Sequence, residues 1–121
     1  MLLYKTFTFD SAHFLPRVPA NHKCGHLHGH TYTLKVFVEG KPDTELGWII
    51  DFNDLKKAIV PIIELLDHNL LNEIEGLNNP TSEMLAVWLW NRIAPNLSGL
   101  KRIELNETPG SGVIYEGDFF T

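Results

Sequence analysis

The sequence predicts an α+β fold with the order strand, strand, helix, helix, strand, strand, and three observations carry that reading. Side chains alternate with period two over two long early segments, an apolar repeat with helical spacing occupies the middle, and two alternating segments separated by a turn close the chain. At 121 residues, against a usual size of roughly 100 to 200 per domain, the chain is read as one domain over residues 1–121.

The first strand is read over Tyr4–Leu15, where Phe7 and Phe9 share one parity and Thr6 and Thr8 the other. Pro16 to Gly25 holds two prolines, an asparagine and charges, which is turn chemistry, and Cys24 stands near its end. A second strand follows from about Leu27 to Glu39. It places His28, His30, Tyr32, Leu34, Val36 and Val38 on one face and Thr31, Thr33 and Lys35 on the other. Gly40 to Gly47 is a turn region. Asp51 or Asn53 can then cap a helix whose Leu55, Ala58, Ile59, Ile62, Ile63 and Leu66 form one apolar stripe. Pro61 falls on its outward side, where it removes one backbone donor and is expected to kink the helix. A second helix is read from the capping run Asn79-Pro80-Thr81-Ser82-Glu83, with Leu85, Trp88, Leu89 and Ile93 inward and Pro95 as its stop. Leu100–Glu107 and Val113–Glu116 alternate around Pro109-Gly110-Ser111-Gly112 and read as a hairpin.

Composition narrows function. Ten basic against 15 acidic residues give a net charge of −5, with no block of lysine or arginine, so the footprint of a nucleic-acid binder is missing. No apolar run approaches the ~18 residues that span a bilayer, and no basic segment leads into an apolar one at the N-terminus. A lone cysteine makes no internal disulfide. A cytoplasmic protein is expected. Four strands in so short a chain leave sheet edges to be covered, which predicts a homo-oligomer.

Five of the six histidines, His13, His22, His26, His28 and His30, fall within eighteen residues. His28 and His30 leave the same face of a strand about 6–7 Å apart, and a hairpin through the 16–25 loop sets His13 opposite them. Three neutral imidazoles with an open fourth position suit a catalytic zinc ion. His22 and His26 lie in the loop, either solvated or touching substrate. Cys24, beside Lys23 and near that metal, has three readings: a thiolate acting as base or nucleophile, a fourth metal ligand, or a small buried side chain. In Asp67-His68 the carboxylate can orient the imidazole if the backbone there is unwound. The alternative is a charged last turn, with His68 facing the helix dipole. Glu107 has the parity of Ile103 and Leu105 and so points inward. It either accepts two N–H bonds from a flat ligand or is a half-exposed carboxylate near a turn.

Taken together, Asp10-Ser11-Ala12-His13, Cys24-Gly25-His26-Leu27-His28-Gly29-His30, Asp67-His68, Asn79-Pro80-Thr81-Ser82-Glu83 and Glu107 resemble the 6-pyruvoyl-tetrahydropterin synthase family over nearly the whole chain. The spacing of Cys24 from His28 is similar to the bacterial branch that makes 6-carboxy-5,6,7,8-tetrahydropterin for queuosine biosynthesis. The resemblance implies a tunnelling fold of ββααββ order, with two helices on one face of an antiparallel sheet, three subunits closing a barrel and two trimers stacked as a hexamer. It implies a carbon–carbon lyase that converts 7,8-dihydroneopterin triphosphate to 6-carboxy-5,6,7,8-tetrahydropterin, releasing triphosphate and acetaldehyde. Matched residue by residue, His13, His28 and His30 would hold Zn2+, Cys24, Asp67 and His68 would carry proton transfer, and Glu107 would anchor the pterin. His26 departs from the pattern, since relatives often carry arginine there and a neutral imidazole holds triphosphate less well. Two further functions stay open: triphosphate elimination to the pyruvoyl product, and metal binding without turnover. A cupin oxygenase is set aside, because positions 31 to 38 hold no carboxylate.

Overall fold

Period-two patterning becomes two paired strands, β1 (Leu2–His13) and β2 (His28–Glu39), in the computed structural model, which describes residues 1–119. They run antiparallel through an unbroken register from Leu2 opposite Glu39 to His13 opposite His28. The odd residues of β1 and the even residues of β2 point inward, burying Phe9, Ser11, His13, Tyr32, Leu34, Val36 and Val38. Helix α1 (Phe52–Leu66) starts where the Asp51 carboxylate accepts the N–H of Asn53, and α2 (Ser82–Ile93) where the Thr81 hydroxyl accepts that of Met84. The helix α1 runs through Pro61 without interruption, with that ring on its exposed side. Both helices lay their apolar stripes on the same sheet face, where Leu55, Ile59, Leu66, Leu85, Leu89 and Ile93 join the strand residues in one core cluster.

Strands β4 (Leu100–Thr108) and β5 (Ser111–Tyr115) form the closing hairpin, with β4 paired to β2. Three features depart from the sequence reading. The first strand ends at His13, two residues early, because Leu15 turns away and its N–H bonds the carbonyl of Cys24. The hairpin turn is only Pro109-Gly110, and a register shift between Asn106 and Thr108 leaves Glu107 as the extra residue of a bulge. The third is a two-residue strand, β3 (Asn69–Leu70), that pairs parallel to β1 at Ser11 and Ala12, so the sheet is not wholly antiparallel. The strand order is β3-β1-β2-β4-β5.

β3 belongs to a stitch between the end of α1 and the C-terminal end of β1. The Ser11 hydroxyl donates to Leu66 O at 2.6 Å, the N–H of Asp10 donates to Asp67 Oδ1 at 2.9 Å, and the N–H of His68 donates to Asp10 O at 2.6 Å. Among the described residues no helix is long and apolar enough to cross a membrane.

Candidate metal centre and active site

His13 ends β1, and His28 and His30 begin β2, all with inward parity. Antiparallel pairing therefore gathers three imidazoles at one end of the sheet, with one nitrogen of each inside a 4.8 Å span. His13 is 1% exposed. Its Nδ1 lies 2.8 Å from the carbonyl of Pro80, and the Nδ1 of His28 lies 2.7 Å from that of His26. A carbonyl only accepts, so both Nδ1 atoms carry the proton and both Nε2 atoms present lone pairs. Those two Nε2 atoms face each other at 2.9 Å. Two lone pairs so close repel unless a cation lies between or beside them. A metal-binding histidine with its other nitrogen donating to a backbone carbonyl is the arrangement that divalent metals use. The residues fit a metal ion of the kind imidazole prefers, zinc among them. Burial, before any neighbouring charge, pushes the pKa of His13 down and favours the neutral form that a metal needs.

Glu107 reaches this cluster from the bulge in β4. Its Oε1 is 3.5 Å from the Nε2 atoms of both His13 and His30. Tyr32, fully buried below, sets its hydroxyl 3.3 Å from His13 Nδ1, and burial followed by the Glu107 charge pushes its pKa up. Cys24 occupies a one-turn 3-10 helix, Lys23–Gly25, whose start is capped by His22 Nδ1 accepting the N–H of Cys24 at 3.0 Å. The three clustered histidines, Lys23, Cys24 and Glu107 line one cavity of about 470 Å3. The thiol is half-buried in its wall and lies outside the three-histidine cluster.

Asp67 and His68 meet, the first of the two arrangements the sequence left open. Helix α1 stops at Leu66, Asp67 is extended, and His68 takes the left-handed conformation at φ 59°, which turns its Nδ1 to 2.9 Å from Asp67 Oδ2. The Asp67 carboxylate raises the pKa of His68. Asp67 itself is lowered, first by the N–H of Asp10 and then by His68. The reading of His68 as a dipole-facing residue in a last helical turn is corrected, since it stands outside the helix and its ring is paired. It lines a different cavity, of about 500 Å3, with Asp10, Gly29, Thr31 and Asn69, and only His30 borders both. His22 serves as a backbone cap and His26 stands exposed, with neither in the wall of the Cys24 cavity.

Sequence reasoning passed over three contributors. The Pro80 carbonyl orients His13, Tyr32 buttresses it, and Asp10, whose carboxylate accepts from Thr31, anchors Asp67 and His68 through its backbone. Tyr32 left a signal as a polar tip at a core position next to His30, whereas Asp10 and Pro80 stood only inside motifs that assigned them no role at the site.

The family model of 6-pyruvoyl tetrahydropterin synthase matches residues 2–118, and the chain belongs to that family. Among its relatives, a 6-carboxy-5,6,7,8-tetrahydropterin synthase of Synechocystis sp. is 36% identical over 94% of this chain and 92% of that one. A dihydroneopterin monophosphate aldolase of Pyrococcus furiosus is 39% identical over 95% and 96%. In structure, the 6-pyruvoyl tetrahydropterin synthase of Caenorhabditis elegans superposes with a TM-score of 0.90, at 25% identity, covering 98% of this chain and 96% of that one.

Proposed function

We propose that this chain is a zinc-dependent carbon–carbon lyase that converts 7,8-dihydroneopterin triphosphate to 6-carboxy-5,6,7,8-tetrahydropterin, with release of triphosphate and acetaldehyde, in cytoplasmic queuosine biosynthesis. One observation carries the reading: three imidazole nitrogens oriented for a metal share a cavity with a thiol and an inward carboxylate. His13, His28 and His30 would hold Zn2+, which when bound supplies Lewis acidity to side-chain oxygens of the substrate and lowers the cost of removing an adjacent C–H proton. Glu107 holds the flat pterin by accepting its amino and ring N–H groups, because a carboxylate offers two acceptors in one plane. Cys24, as thiolate, takes the side-chain proton. His68, kept in one orientation by Asp67, delivers or removes the second.

The last two roles must meet at one substrate. Asp10, whose backbone N–H holds Asp67, and Thr31, whose hydroxyl donates to the Asp10 carboxylate, turn their side chains to the helix-free side of the sheet, and His68 lines a cavity there with them, whereas His13 and His30 point to the helix side. We therefore assign Cys24 and the metal to one protomer and Asp67-His68 to its neighbour in a homo-oligomer, a hexamer built as a dimer of trimers. The experiment is incubation of the zinc-loaded protein with dihydroneopterin triphosphate, followed by mass analysis of the pterin and a test for acetaldehyde. The 39% identity to a dihydroneopterin monophosphate aldolase favours one second reading, aldol cleavage of a side-chain carbon–carbon bond in a pterin monophosphate, with the phosphate ester left intact. The same mass analysis on that ester separates the two, as it does a pyruvoyl product.

A further inference from the structure

We infer that Lys23 is a specificity-determining residue that binds the phosphate group attached directly to the substrate's side chain, so that the site reads one phosphate and not the length of the polyphosphate. The inference rests on the pterin reading above and adds the part of the substrate that this reading leaves unheld. Lys23 is the only lysine or arginine among the described residues lining the cavity of the histidines, Cys24 and Glu107. The charged and metal-binding groups around it are already engaged, because the imidazoles face the metal position and Glu107 faces the imidazoles. The ammonium of Lys23 is not, since no carboxylate lies within 4.0 Å and it covers no aromatic ring among the described residues.

Its place is fixed by the backbone. The N–H of His26 donates to Lys23 O at 3.1 Å, that of Gly25 to His22 O at 3.0 Å, and that of Leu15 to Cys24 O at 2.8 Å. The Lys23 stem is thereby planted one residue from the proposed base. A phosphate ester approaching a chain of net charge −5 needs a local cation, and an ammonium binds phosphate as a compact point charge with three donors. One ammonium neutralises about one phosphate. The ester-linked phosphate is the only one whose distance from the pterin is the same in a monophosphate and a triphosphate. A relative acting on a monophosphate and a site built for a triphosphate then need not differ at this residue.

The test measures binding of dihydroneopterin, its monophosphate and its triphosphate to the purified oligomer by calorimetry, in wild type, Lys23→Gln and Lys23→Arg. Wild type is expected to bind the two esters within about threefold of each other, and both at least about tenfold tighter than dihydroneopterin, as one charge-assisted contact provides. Lys23→Gln should cut that ester preference by about tenfold, and Lys23→Arg should restore most of it. A preference left intact in Lys23→Gln, or a triphosphate bound far more tightly than the monophosphate by wild type, overturns the assignment. Should wild type bind none of the three pterins, the pterin reading fails instead. Phosphorus NMR with inorganic phosphate then decides: line broadening that Lys23→Gln abolishes upholds the phosphate contact, and broadening equal in both proteins, or absent from both, removes it.

Discussion

The proposed division of the site between subunits is open to a quantitative test. Asp10, whose carbonyl holds the N–H of His68, is three residues from His13 on β1, about 10 Å along the strand and on the opposite face. A single copy thus offers Cys24 and His68 in separate cavities. Cys24→Ala and His68→Ala should each be inactive alone. Unfolded together in equal amounts and refolded, each site draws its Cys24 from one copy and its His68 from a neighbour, each intact half the time. About a quarter of the sites are then complete, and activity in the lyase assay should return to about that fraction of a refolded wild-type control. Two affinity tags, one on each variant, verify that mixed oligomers have formed. Mixed oligomers that are still dead refute the shared site and return all three residues to one chain.

Four further outcomes are expected. His28→Ala should lose metal and activity together, since two ligands hold zinc far more weakly than three; stoichiometric zinc by elemental analysis in that variant would remove His28 from the ligand set. Glu107→Gln should weaken pterin binding about tenfold with metal content unchanged, and loss of metal instead would make Glu107 a ligand. The Asp67 bond favours charged His68, so its stabilising effect is whole below His68's ordinary pKa of 6.5 and fades as pH rises through the raised folded value. Asp67, held low, keeps its share above its ordinary 3.8 and loses it as pH falls through its depressed value. An NMR titration should accordingly find the His68 midpoint above 6.5 and see it drop in Asp67→Asn, whereas identical midpoints would deny the pairing. Finally, Gly117→Ala should destabilise by more than about 1 kcal/mol, because Gly117 sits at φ +79° and a Cβ there would lie 2.5 Å from the Trp90 ring. Gly110→Ala, with nothing within 4 Å, should be near neutral in the same thermal melt.

What could be read in advance follows from the range of the forces involved. Both long strands, both helices and their caps are written in local periodicity and capping chemistry, and the inward parity of His13, His28 and His30 came with them. The features missed are made by pairing between distant segments. β3 is two residues long, too short for any period, and exists because Ser11 and Ala12 offer it backbone partners. The bulge at Glu107 is a property of the β4–β5 register and not of either strand alone. The carbonyl of Pro80 is a backbone group, invisible to any reading of side chains, yet it selects the tautomer of the most buried histidine. His68 was legible only as a condition, an unwound backbone, which the stitch to Asp10 then supplied.

The bulge also dictates where this chain can change length. Side chains on a strand alternate faces, so deleting Asn106 would swing the carboxylate of Glu107 to the helix-free side while leaving the hydrophobic pairs of β4 in place. Such a protein would keep its core and lose its site, a lesion silent to a melting curve. The segment from Lys41 to Trp48 obeys no such arithmetic: it is exposed throughout, and apart from the left-handed φ of Gly47 at +76° it places no residue that the core or the site depends on. Insertions are therefore tolerated between β2 and α1 and forbidden at the end of β4, a pattern that a library of single-residue insertions and deletions scored for folding and turnover would trace along the chain.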